Sequence, residues 1–169
     1  LLLNENNRSE ILNFQDKSIT EFLKIKVQIS KICETLEQQI KLVAIDTLDM
    51  ITNNGVELNS FYASYVTKFL QKLADGTVDI NINVYKYLDD QHQEAKDRYS
   101  KKVPQDQKDK IDAMAMAILA TIKKLNRSAG TYFFYKAFLK NLTPLSVLNT
   151  INHELLKIQQ EQNILSISE

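Results

Sequence analysis

The chain has 169 residues, of which 44% are hydrophobic and 25% charged, with 21 basic side chains against 21 acidic ones. A chain of this length buries roughly 70% of its unfolded surface, so a single domain needs no covalent staple. Zero net charge gives no electrostatic reason to expect a nucleic-acid partner, and one cysteine, Cys33, excludes an internal disulfide. Three glycines, two prolines and no tryptophan leave few chain breakers, which favours long helices over a many-turned sheet fold.

Residues 1–17 are polar and irregular and read as a partly ordered N-terminal arm; residues 18–169 read as one helical domain. Ser18-Ile-Thr-Glu21 has the spacing of a capping box, in which hydroxyl and carboxylate each satisfy an amide at the helix start. From there Phe22, Ile25, Ile29, Ile32, Leu36, Ile40 and Val43 recur at three- and four-residue steps, the stripe of a helix with one buried side. Cys33 falls within this helix and reads as a small core side chain. Asn53-Asn54-Gly55 supplies its left-handed stop. The last third, IKLVAIDTLDMI, is apolar on nearly every side and is expected to lie deep.

A second helix is expected from Asn59 to Ala74, with Asp75-Gly76 as its end. The stretch GTVDININVYKYL that follows alternates like a strand at Val78, Ile80, Ile82 and Val84, but no clear partner strand exists to pair with it. A third helix capped by Thr77 and running to about Lys102 satisfies the same backbone groups locally. In that reading Val78, Ile82 and Tyr85 form a second apolar stripe, available to neighbouring helices or to a partner chain. Val103-Pro104 ends the helix, and Asp106 caps a fourth through Ile111, Met114, Ile118, Ile122 and Leu125, whose AMAMAILA centre is small and apolar all round.

Asn126 to Gly130 reads as a loop, Thr131 to Leu142 as a short aromatic helix, and Thr143-Pro144 as the start of a final helix carrying Val147, Leu148, Ile151, Leu155, Ile158 and Leu165. The expected fold is therefore all-α, an antiparallel bundle of about five long helices plus one short aromatic one.

Little in the sequence points to bond-making chemistry. His92 and His153 are the only histidines, and Asp89 with His92 at i,i+3 lacks the second such pair that a buried di-metal site requires. Glycine-rich phosphate loops and nucleophile elbows are absent as motifs, so neither a cofactor nor a catalytic residue is expected. Lys123, Lys124, Arg127, Lys136 and Lys140 interleave with aromatic residues, a pattern shared by single-strand nucleic-acid binders, but the lysines also suit a helix C-terminus and Phe134, Phe138 and Leu142 suit a core. Phe61, Tyr62, Tyr65 and Phe69, with Tyr132, Phe133, Phe134, Tyr135 and Phe138, are the residues that would wall a cavity for an apolar ligand.

Glycosylation triplets begin at Asn7, Asn126 and Asn141, the last followed by Pro144; with the missing initiator methionine they lead to an expectation of secretion and of glycans at Asn7 and Asn126. No apolar run approaches the length of a transmembrane helix. The expectation for function is a secreted, non-enzymatic helical binding protein, acting through a helix face on a partner protein or holding an apolar small molecule. An intracellular structural protein whose long first helix continues into a coiled-coil assembly, with a core completed by another chain, is the alternative.

Overall fold

A computed structural model describes residues 17–89 and 98–161. The Asn7 triplet, His92, Leu165 and nearly all of the N-terminal arm lie outside these residues. The fold is all-α, with no strand among the described residues and a single isolated bridge between Phe61 and Tyr99. Among the described residues three α-helices, rather than about five long ones, carry it: α1 (Ile19–Asn53), α2 (Tyr65–Ala74) and α3 (Gln105–Glu161). Short 3-10 turns occupy Leu58–Ser60, Tyr62–Ser64 and Ile82–Tyr87. The chain divides into two compact units, one of Cys33–Phe134 and one of Leu1–Ile32 with Tyr135–Glu169.

The ends of α1 follow the sequence closely. The Ser18 amide donates to Glu21 Oε2 at 2.8 Å and the Glu21 amide to Ser18 Oγ at 3.3 Å, the reciprocal pair of a capping box. These bonds from Ser18 hold the Glu21 carboxyl below its ordinary range. At the far end Gly55 takes φ +71°, its amide donating to Thr52 O and that of Val56 to Ile51 O, which closes the helix by a Schellman motif. The hydrophobic contact that accompanies such a motif comes from Val56 and Ile51, both buried. α2 ends in the same way at Gly76, φ +87°, through Gly76 to Leu73 O and Thr77 to Lys72 O.

In the 33–134 unit the core is built by Ile40, Ala44 and Ile51 of α1, Val66, Phe69, Leu70 and Leu73 of α2, and a stripe on α3. That stripe, Ile111, Met114, Ala115, Ile118, Leu119, Ile122, Leu125 and Ala129, repeats at three and four residues. AMAMAILA is accordingly two-sided: Met114, Ala115, Ile118 and Leu119 are buried, while Ala113, Met116, Ala117 and Ala120 face solvent. Cys33 is buried with a free thiol.

The expected second helix begins later than its sequence pattern implies. Ala63 and Ser64 adopt left-handed backbone, φ 45° and 52°, and only then does α2 start at Tyr65. Gln107 ties the preceding loop to α3: its Nε2 donates to Gly55 O at 2.6 Å, and its Oε1 accepts from the Glu57 amide at 3.1 Å and from Ser60 Oγ at 3.4 Å.

The stretch after Gly76 is neither the expected long helix nor a strand. Residues 77–81 are irregular, with Asn81 extended (φ −137°, ψ 96°), and Ile82–Tyr87 forms a 3-10 turn capped by Asn81 Oδ1, which accepts from the Asn83 amide. The backbone of Asn81 is satisfied from a distance. Its amide donates to Asn126 Oδ1 at 3.0 Å and its carbonyl accepts from Asn126 Nδ2 at 3.1 Å, so one side-chain amide on α3 supplies what a partner strand would have supplied.

That pairing also corrects the expected loop at 126–130. Asn126 and Ala129 are buried on the core side of α3, and the helix passes through Gly130 without interruption. It likewise continues through Pro144, expected to start a new helix. Proline there leaves the Lys140 carbonyl without its helical donor. Nearby carbonyls are bound instead by polar side chains: Asn141 Nδ2 donates to Ala137 O at 2.9 Å and Ser146 Oγ to Thr143 O at 2.9 Å. The expected fourth, short aromatic and final helices are thus one element.

Candidate functional site

The aromatic residues expected to wall a cavity are placed in three different settings. Phe61 and Phe69 are core side chains of the 33–134 unit. Tyr62 and Tyr65 turn to the surface, where they stack with Tyr87, a residue the sequence reading gave no site role: ring centroids lie 5.7 Å apart for Tyr62–Tyr87 and 5.2 Å for Tyr65–Tyr87. Lys86 Nζ sits 5.0 Å from the Tyr87 ring. On α3, Tyr132 and Phe133 meet edge to face at 5.4 Å, Phe134 is exposed, and Tyr135 and Phe138 are half-buried. A recess of about 210 Å³ in the same unit is lined by Gln39, Ile40, Val43, Lys124, Leu125 and Ser128, none of them from that aromatic set.

Val78, Ile82 and Tyr85 do not share one stripe. Val78 and Tyr85 pack against the core, whereas Ile82 is exposed. Tyr85 Oη accepts from Asn126 Nδ2 at 2.7 Å. Asn126 therefore spends its whole amide on Asn81 and Tyr85 and is only 7% exposed.

One polar cluster lies close to the core. Arg98 Nη1 and Tyr99 Oη both donate to Asp112 Oδ1, and Arg98 Nη2 reaches Leu88 O at 3.4 Å. Burial, and then the proton it gives to Asp112, push the Tyr99 hydroxyl up to about 12. Around it the Tyr62 amide donates to Arg98 O and the Ser100 amide to Ser60 O, so the cluster fastens the chain after residue 97 to the loop before α2. The cluster thus joins an arginine and a tyrosine through one carboxylate oxygen of Asp112.

Among the described residues no three histidine, cysteine, aspartate or glutamate side chains converge as a metal site would require. No described helix is long and apolar enough to cross a membrane. His153 stands on α3 beside the start of α1, where Lys17, Ser18, Ile19, Thr150, His153 and Glu154 line a recess of about 280 Å³.

That recess reveals how the last part of α3 is turned. Within its unit the half-buried positions from Leu145 onward are Ser146, Asn149 and Thr150, all polar. Leu145, Val147, Leu148, Ile151, Leu155, Leu156 and Ile158 are all exposed, Leu148 at 62% and Leu155 at 54%. At 3.6 residues per turn these seven fall within one half of the helix. Up to Thr150 the half-buried side of the helix is therefore the polar one, and from Ile151 to Glu161 every position is exposed, so the aliphatic side stands in solvent along the whole segment. Periodicity located the aliphatic side in the sequence but could not say which way it faces.

The chain matches no known protein-family model, and comparison with curated protein sequences and with solved structures returns no significant match.

Proposed function

We propose that the protein is a non-enzymatic helical binding protein whose working surface is the outward aliphatic face of α3 between Leu145 and Ile158. The exposure of all seven aliphatic side chains on one half of this segment is the observation that carries the reading. Leaving a leucine or isoleucine in water rather than buried forgoes about 1.5–3 kcal/mol per side chain. Seven such residues on one half of a helix therefore constitute a standing driving force for association, far beyond the scattered exposed leucine of an ordinary surface.

A protein partner suits this face better than a lipid surface does. Helices that lie in a membrane interface carry lysines and arginines on their polar side. From Thr143 to Glu161 the only such residue is Lys157, against Glu154 and Glu161. An apolar small molecule is the weaker fit, since Phe61 and Phe69 are taken up by the core and Tyr62 and Tyr65 stack on Tyr87.

Site-specific photo-crosslinking tests the reading. A photoreactive residue at Leu155, in the full chain within its native cells or fluid, is expected to give a protein adduct, and the same residue at Thr150 is expected to give none. Adducts only to lipid, or equal yields at both positions, would refute it.

A further inference from the structure

Resting on that reading of the α3 face, we infer that its occupant is further copies of this chain, joined by parallel packing of Leu145–Glu161 into an assembly larger than a dimer. The spacing supplies the first reason. Leu148, Ile151, Leu155 and Ile158 stand at steps of three, four and three, the a and d positions of a heptad seam, and all four are exposed.

The identity of the seam residues supplies the second. Leucine falls at both a positions, Leu148 and Leu155, and isoleucine at both d positions, Ile151 and Ile158. In parallel coiled coils β-branched residues at d pack poorly in a two-stranded geometry, and leucine at a with isoleucine at d favours three or four strands. Width agrees with identity. A dimer covers little more than the a/d seam, whereas here Val147 on one flank and Leu145 and Leu156 on the other extend the exposed aliphatic surface over half the helix. Such a broad face is covered only when each helix touches two neighbours.

Charge fixes the direction. In a parallel register the g positions of one helix meet the e positions of the next. Val147 and Glu154 at g then face Asn152 and Gln159 at e, so the Glu154 carboxylate meets a neutral amide. An antiparallel register would instead bring g against g and set glutamate beside glutamate, which is unfavourable.

Sedimentation of the purified full chain across micromolar concentrations is the test. The expected result is a species of three or four copies. Leu148→Glu with Leu155→Glu is expected to raise the dissociation constant at least about a hundred-fold, because each copy would bury two carboxylates without partners, while the helical circular dichroism stays unchanged. A second variant retains every aliphatic group: Leu148→Ile, Leu155→Ile, Ile151→Leu and Ile158→Leu together are expected to reduce the assembly to a dimer. Under mild oxidation, Leu155→Cys is expected to form a disulfide with the same position of a neighbouring copy. A monomer or dimer in the unmodified chain, an oligomer indifferent to both sets of substitutions, or a monomer that binds phosphatidylglycerol vesicles would overturn the inference. A monomer that still crosslinks to a different protein at Leu155 would overturn self-association and leave the binding function standing.

Discussion

The side-chain amide of Asn126 closes both backbone hydrogen bonds of Asn81, accepting from its amide at 3.0 Å and donating to its carbonyl at 3.1 Å. A residue 45 positions away thereby holds an extended segment that has no strand to pair with. Asn126→Ala would leave the Asn81 amide and carbonyl unsatisfied and strip a donor from Tyr85 Oη. The expected loss is roughly 2–4 kcal/mol by urea denaturation, the range for orphaning buried polar groups. Tyr85→Phe, which removes only one of these partners, should cost distinctly less. Equal losses in the two variants would show that the Asn81 pairing contributes nothing.

Tyr99 makes stability depend on pH in the alkaline range. Its hydroxyl is raised to about 12 from an ordinary 10, so above pH 10 the unfolded chain gives up a proton that the native chain still holds. The native state then binds more protons, and stability falls as pH rises from about 10 through about 12. Tyr99→Phe should remove that contribution to the slope. In an ultraviolet titration of the intact protein one tyrosine is expected to ionise last, and its absence from the trace of the phenylalanine variant would assign it.

Those two interactions mark where the sequence was legible and where it was not. Both ends of α1 could be read because each signal is local: Ser18 with Glu21 at the start, Gly55 at the stop, and a stripe of apolar residues between. α3 was misread as three elements because Asn126, Gly130 and Pro144 each carry a local meaning that tertiary contacts override. Asn126 is a loop-former only until Asn81 and Tyr85 engage it from another part of the chain, and nothing within ten residues of it records that. The stretch Val78–Val84 was ambiguous for the same reason, since its hydrogen-bond partner is a side chain rather than a strand. Of the expected aromatic site, Phe61 and Phe69 went to the core and Tyr62 and Tyr65 to a surface stack with Tyr87, a division that composition cannot express.

Ala63 and Ser64 hold left-handed backbone without being glycine. A Cβ in that region costs on the order of 1–2 kcal/mol. Glycine at either position is therefore expected to stabilise the protein, less the entropy it adds to the unfolded chain, for a net gain of about 0.5–1 kcal/mol in urea denaturation. The Tyr65–Tyr87 stack should persist in both variants. A loss of stability would mean that the side chains contribute contacts worth more than the strain.

Pro144→Ala restores an amide that can donate to the Lys140 carbonyl and removes the clash of the ring with it. Helix stability around residues 140–150 should rise by up to about 3 kcal/mol, read as slower amide hydrogen exchange in that segment. Unchanged exchange would mean that the bonds from Asn141 and Ser146 to neighbouring carbonyls already compensate for the proline.

With copies joined through the exposed aliphatic face of α3, as proposed, concentration becomes a structural variable. Under the proposed self-association each native chain gains stability by mass action, so the melting temperature should climb as the protein is concentrated and sag as it is diluted. Molecules released singly into a large volume would stand at the weak end of that curve, and those made close together at the strong end, which ties the durability of the fold to how crowded its siblings are.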